Sequence, residues 1–303
     1  MSCINLNKCS LFCIVLIIII YFYLDSFNVN VHIIKYTNTY NLYNLNHINH
    51  LSSIVLNKKY LKSDIKTIPN ILFQTYYDKK IIPQYILDNV TLYASDYKYN
   101  LLDDDDALEF LNAYFIKDVA TRYKEFKYGA HKADLLRYCL LFIFGGIYLD
   151  IKTILIKPLN DVFKNKTYFY AAFTKFVNND NVESYIYQGI LASRPCNILF
   201  LKLIYFMTYV PTYYINYPFR KNYLMIVQHL YHEIKKDMID DKIVPGLNNG
   251  NVNNYYLLEE SCSKNTNETC TTLDRYGLCC NIYDGDEKIF IGRDPTFPWN
   301  KTD

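Results

Sequence analysis

Residues 130–159 read AHKADLLRYCLLFIFGGIYLDIKTILIKPL. In the first half, Ala133, Leu136, Leu140 and Ile143 recur three or four residues apart, the spacing of an apolar stripe on a helix. Asp134 and Arg137 stand three apart and so leave that helix on one side. Gly145 and Gly146 are expected to end it, because glycine takes the left-handed conformation that closes a helix. Ile147-Tyr148-Leu149 then reads as a short strand stopping at Asp150. The stretch predicts a helix bearing an acid and a base, a tight turn, and a strand with a carboxylate at its C-terminal end. In open α/β sheets that is the end where ligands bind.

Strand and helix signals alternate on both sides of this stretch. Ile71-Leu72-Phe73 is a buried-strand signal with Gln74 and Thr75 just past its end, and Pro83 suits the first turn of a helix. The run Asp103–Asp106 precedes an apolar helix. Asp106 with Glu109 resembles a capping box, and acids belong at a helix's positive end, so these four are read as structural rather than as a cation site. Downstream, Thr153–Leu159, Tyr168–Phe173 and Ser184–Ala192 read as strands, and Asn197–Tyr209 and Tyr223–Met238 as helices. The alternation predicts an α/β fold, a mostly parallel sheet with helices on both faces.

The whole chain has 303 residues, room for one large α/β domain plus accessories. Its net charge of +2 offers no concentrated basic face, so no nucleic-acid partner is expected. The 32 tyrosines are spread along the chain rather than gathered for stacking on bases. Cys9–Leu24 is an uncharged apolar run slightly short of the roughly 20 residues that cross a bilayer. No small-residue cleavage site follows at Leu24-Asp25-Ser26-Phe27, so the run reads as an uncleaved signal anchor, a transmembrane helix. Residues 25–65, rich in Asn and Tyr, read as a stem. Its His32, His47 and His50 lack partners at ligand spacing. Residues 66–260 form the main domain and 261–303 a cysteine-bearing tail. There the spacings of Cys262, Cys270, Cys279 and Cys280 do not suit zinc and instead suggest one or two disulfides of open connectivity. Sequons at Asn89, Asn165, Asn267 and Asn300 are expected by chance in so asparagine-rich a chain.

The ordered pattern K-A-D-L-L-R-Y, G-G-I-Y-L-D and P-L resembles the DXD-type sugar-nucleotide glycosyltransferases. That family includes initiating α-1,6-mannosyltransferases, sphingolipid mannosyltransferases, and α-1,4-galactosyl- and N-acetylglucosaminyltransferases. Ile68–Thr75 is similar to the family's opening strand, with Phe73 where histidine is common, and Gln188–Pro195 to its segment after the central sheet. The resemblance covers roughly residues 66–205. It implies a GT-A-like fold and a nucleotide-sugar donor, with transfer of a hexose to a glycan or glycolipid acceptor with retention at the anomeric carbon. It also implies a type II membrane protein with residues 1–8 cytosolic and the catalytic domain in the Golgi or endoplasmic reticulum lumen.

The resemblance assigns Asp150, Asp134 and Arg137 to catalysis. It assigns Asp134, Arg137, Tyr138, Tyr148, Arg293 and Trp299 to the donor; Gln74 and Thr75, past the strand end, are placed to reach its base or ribose, and Lys152, a departure from the family, its diphosphate. A carboxylate accepts hydroxyl hydrogen bonds, and a guanidinium fork donates to sugar and phosphate together. Without the family, Asp134 and Arg137 read equally well as a structural helix ion pair. In D-x-D the two acids hold Mn²⁺ or Mg²⁺ against the diphosphate. This chain has Asp150-Ile151-Lys152, which leaves three accounts. Asp150 binds metal with a distant acid such as Asp284, Asp286 or Asp294, of which Asp294 is the assigned ligand. Alternatively, the Lys152 ammonium substitutes for the cation, or catalysis has been lost and the fold only binds. Trp299 either covers the sugar or plugs the domain's edge.

Overall fold

The computed structural model describes residues 51–56, 61, 63–178, 181–210, 225–240, 242–263, 279–292 and 297. The chain divides into two compact units, Met1–Leu51 and Ser52–Asp303, and the described residues belong, Leu51 apart, to the second. The anchor expected over 9–24 lies outside the described residues. Among those described, no helix is long and apolar enough to cross a membrane. Ile54 and Val55 are buried, and Val55 bridges to Phe115, so the compact unit begins before the expected boundary at residue 66. The apolar side chains of this short segment have a partner in the domain, which a solvated stem would not offer.

Strand β1 (Ile71–Thr75), helix α1 (Gln84–Tyr93) and strand β2 (Lys98–Leu102) make a parallel β-α-β unit. Helices α2 (Asp104–Tyr114), α3 (Lys117–Glu125) and α4 (Gly129–Phe144) then carry the chain back to β3 (Gly146–Leu149), on the other side of β1. After β4 (Ile154–Leu155) and the short α5 (Leu159–Val162) come the hairpin strands β5 (Phe169–Asn178) and β6 (Asn181–Ser193). Helices α6 (Ile198–Tyr209) and α7 (Met225–Asp237) precede β7 (Gly246–Asn249), β8 (Asn254–Ser263), β9 (Cys279–Asp284) and β10 (Glu287–Ile291). All ten strands join one sheet in the order β2-β1-β3-β6-β5-β8-β9-β10-β4, with β7 on β8.

The sheet is mixed, which corrects the expectation of a mostly parallel one. Among the described residues, parallel pairing is confined to β1–β2, β1–β3 and β5–β8. Hairpins such as β5–β6 and β9–β10 enforce antiparallel neighbours, because only a long crossover can return a strand in parallel. Strand β4 follows β3 within a few residues yet closes the far end of the order, so the sheet must curl back on itself. That curl brings the end of β10 round toward the end of β3.

Helices cover both faces, as expected, and the strands alternate between them. Leu72, Ile147, Leu149 and Ala172 face one core with Val90 of α1 and Leu159 and Val162 of α5. Their neighbours face the other. Phe73 stacks on Phe144 of α4, Phe169 packs on Phe200 of α6, and Phe173 stacks on Tyr231 of α7. Helix α4 is buried over Leu135, Leu136 and Tyr138–Ile143, far more than one stripe, as befits a helix held between a sheet and further helices.

The turn after α4 requires both glycines. Gly145 has φ +65°, and a Cβ there would lie 2.6 Å from Pro195 N. Gly146 has φ +104°, and a Cβ there would lie 2.6 Å from Ile71 O in the neighbouring strand. The acidic run caps α2, one box earlier than expected: Asp103 is the N-cap and Asp106, not Glu109, its partner. Lys79 bridges both acids. Asn89 spends both ends of its side-chain amide on the Leu155 backbone, tying α1 to β4, which accounts for it structurally rather than as a glycan acceptor. Cys262 and Cys280 sit opposite one another on β8 and β9 and form a disulfide, one of the bridges the tail's spacings suggested.

Candidate active site

The order β2-β1-β3 makes the gap between β1 and β3 a point where the chain changes direction across the sheet. Crevices open at the C-terminal ends of strands at such points. Asp150 occupies the end of β3 there. Its N–H donates to Gly189 O at 2.8 Å, and its carbonyl accepts from Gln74 Nε2 at 3.2 Å. The next residue, Ile151, is buried among Ile82, Ile86 and Phe297. The backbone of the motif is thus fixed from three sides while the Asp150 side chain keeps 19% of its surface exposed.

Arg137 lies directly beneath. Its Nε donates to Ala133 O at 3.1 Å, Nη1 donates to Gln188 O, and Nη2 stands 3.2 Å from Asp150 Oδ1 and 3.3 Å from Asp134 Oδ1. The guanidinium also rests on the Tyr148 ring, 4.3 Å from its centroid, and its side chain is only 4% exposed. Burial works against this charge, but the surrounding Tyr148, Asp134 and Asp150 leave its pKa raised. Asp134 is nearly as hidden. Burial, with the Asp150 charge adding to it, pushes its pKa up to about 6 despite the opposing pull of Arg137 and Lys152. The three residues named from the sequence therefore converge, with Arg137 bridging two carboxylates and only Asp150 at the surface.

Several residues expected at the donor instead support this cluster. Gln74 and Thr75 belong to β1 itself rather than lying past it, and both are buried. Gln74 accepts from the Tyr99 hydroxyl at 2.8 Å, and Thr75 shares a 2.9 Å hydrogen bond with the Tyr148 hydroxyl. Tyr148 is spent on Thr75 and Arg137. Tyr138 points into the core, bonded to Gln188 Oε1 and stacked on Phe200. The reason is common to all four: their helix and strands are covered on the face where these side chains emerge. Lys152 does reach the rim, with Nζ 3.8 Å from Asp150 Oδ2 and its side chain one-fifth exposed.

Residues that sequence reasoning passed over complete the site. The Tyr187 hydroxyl lies 3.4 Å from Asp150 Oδ2 and 3.0 Å from Gly292 O, to which it donates. Gly189 makes this possible, because a Cβ there would lie 2.3 Å from the Tyr187 ring. The segment Gln188–Pro195 was noted for its likeness. Only the antiparallel register Leu149↔Ile190 shows that its start faces Asp150. Arg293, Asp294 and Trp299 lie outside the described residues; Gly292 accepts from the Tyr187 hydroxyl, and Phe297 is in the apolar cluster that holds Ile151.

The described residues do not make a divalent-cation site. Asp150 has a cation near each carboxylate oxygen, and the position of the second acid is Lys152. Asp284 and Asp286 sit at the turn of the β9–β10 hairpin, the opposite end of β10 from Gly292, with Asp284 bonded to Tyr256. Among the described residues, Glu260, Cys262 and Cys280 bring three ligand-type atoms within 4.8 Å, but the two cysteines are joined to each other.

A depression of about 440 Å³ lined by Phe73, Lys79, Tyr99, Phe110 and Phe144 opens on the β2 side of the sheet and shares no residue with this cluster.

Residues 26–169 match the family model described as glycosyltransferase sugar-binding region containing DXD motif, a family that generally uses a divalent metal and a nucleotide sugar. An initiation-specific alpha-1,6-mannosyltransferase of Saccharomyces cerevisiae is 41% identical over 70 residues, 22% of this chain and 15% of the relative. An uncharacterized glycosyltransferase of Acanthamoeba polyphaga mimivirus is 31% identical over 137 residues, 44% of this chain and 53% of the relative. A mannosyl phosphorylinositol ceramide synthase of Saccharomyces cerevisiae is 27% identical over 151 residues, 49% of this chain and 37% of the relative. The chain thus spans about half or less of the length of these relatives. Among solved structures, the PaToxG glycosyltransferase aligns over 56% of this chain and 71% of its own, with a TM-score of 0.39 and 17% identity.

Proposed function

We propose, from the membership of residues 26–169 in the glycosyltransferase sugar-binding region family, that this chain transfers a hexose from a nucleoside diphosphate sugar to a glycan or glycolipid. The names of the yeast relatives favour mannose as the sugar. The reading includes a GT-A-like fold, retention at the anomeric carbon, and an anchor at 9–24 that holds the domain in a Golgi or endoplasmic reticulum lumen.

One observation carries it: Asp150 stands at the rim of the β1/β3 crevice, tied through Arg137 to Asp134. A cleft wall that presents one exposed carboxylate on a buried, charge-balanced base suits a sugar hydroxyl or a polarised donor held in fixed orientation. In this reading Asp150 touches the donor sugar, whereas Arg137 and Asp134 hold Asp150 in place. A purely binding protein is the weaker alternative, because the relatives the chain resembles carry the names of transferases.

The test is a screen of UDP- and GDP-sugars for slow donor hydrolysis by the purified protein. Hydrolysis of at least one donor is expected, and Asp150→Ala should abolish it in protein that still unfolds cooperatively. Undiminished hydrolysis in that variant would remove Asp150 from the mechanism.

A further inference from the structure

We propose that Lys152 occupies the role of the divalent cation, so that the donor's diphosphate is neutralised by a lysine ammonium and no metal is needed. The inference rests on the glycosyltransferase reading above and adds to it how the leaving group is held.

Charge is the first ground. Counted over the described residues and with all four groups ionised, Asp134 and Asp150 bring two negative charges and Arg137 and Lys152 two positive, a neutral set. A carboxylate at position 152, as D-x-D requires, would leave the cluster at −2, the charge that one Mg²⁺ or Mn²⁺ cancels. Lysine at that position shifts the sum by the same two units unaided. An added dication would meet an ammonium where it needs a second oxygen ligand.

Placement is the second. Of the two cations beside Asp150, Arg137 is 4% exposed and each of its three nitrogens already donates to the protein. Lys152 is the one at the rim, beside the exposed carboxylate, on a backbone pinned by buried Ile151. A compact ammonium on a flexible stem suits phosphate oxygens whose charge grows during the reaction. Its Nζ stands 3.8 Å from Asp150 Oδ2, so a diphosphate seated at this rim would meet the ammonium beside the carboxylate.

In the transfer, the bond from the anomeric carbon to the β-phosphate oxygen breaks and its electron pair passes to the phosphate. The acceptor hydroxyl oxygen bonds that carbon, and its proton leaves to the released diphosphate. Lys152 stays protonated throughout and offsets the added charge.

The experiment follows Mn²⁺ binding to the free protein by electron paramagnetic resonance, and GDP and UDP binding by calorimetry in EDTA and in Mn²⁺. The wild type should bind one of the two nucleotides in EDTA, with an affinity that Mn²⁺ changes by less than about twofold, and should take up no Mn²⁺ alone. Lys152→Met should weaken nucleotide binding by about tenfold in both buffers. Lys152→Asp should bind weakly in EDTA, recover in Mn²⁺ and bind Mn²⁺ by itself. Nucleotide binding by the wild type that appears only with Mn²⁺, or Lys152→Met binding as the wild type does, would overturn the proposal while leaving the glycosyltransferase reading intact. A wild type that binds neither nucleotide in either buffer would overturn both.

Discussion

Arg137 sits under Asp150 with carboxylates on two sides and an aromatic ring below, so removing it strands the buried Asp134 carboxylate without its ion-pair partner. Breaking a buried ion pair from one side costs about 3–5 kcal/mol. Arg137→Met should therefore lower the urea-unfolding free energy by that order as well as abolish donor hydrolysis. Asp134 gives a pH signature. Its folded pKa of about 6 lies above the unfolded 3.8, so its contribution to stability is fully present below about pH 4 and is lost as pH rises through 6. Asp134→Asn removes that loss. Relative to the wild type, the variant should hold its urea midpoint better from pH 4 to pH 7, by up to about 3 kcal/mol; parallel pH profiles would contradict the burial argument. The sequence showed that Asp134 and Arg137 share a side of one helix and that Asp150 ends a strand. It did not show that the pair is buried. A helical spacing places side chains on one side of a helix, but that this side meets Tyr148 and Gln188 of the sheet is a tertiary fact that local periodicity does not carry.

At the scale of elements, the α4–Gly145-Gly146–β3 passage was the most readable part of the chain, because glycine's allowance for positive φ is a local property. Gly146→Ala combines φ +104° with a 2.6 Å approach to Ile71 O, the backbone of the neighbouring strand. Strain of this kind costs about 1–3 kcal/mol before the clash, so a drop in melting temperature of several degrees and a shifted Asp150 are expected; an unchanged melting curve would count against the tight β1–β3 contact. The β8–β9 disulfide closes a separation of 18 residues, and its loss in Cys262→Ser should cost about 3 kcal/mol by chain entropy, read as a lowered urea midpoint. Cysteine spacing suggested a bridge in the tail, but only the strand register pairs Cys262 with Cys280. The same limit hid Tyr187 and Gly189: their place beside Asp150 is set by the antiparallel pairing of β6 with β3, strands far apart in the chain, which no spacing within either strand encodes.

Over the whole molecule, the reversal of strand order at β1 and the curl of the sheet put the end of β3, the middle of β6 and the end of β10 in one place. Alternating strand and helix signals identified the class and the helices on both faces. They overstated the parallel character, because hairpin connections and crossovers look alike when strands are read one at a time. The central claim is that the crevice at Asp150 holds the donor's diphosphate, and a crystal structure of the protein grown with GDP or UDP tests it directly. The account predicts the diphosphate within hydrogen-bonding distance of Lys152 Nζ, at the C-terminal end of β3. A nucleotide seated instead in the Phe73–Phe110–Phe144 depression, with nothing against Lys152, would contradict it.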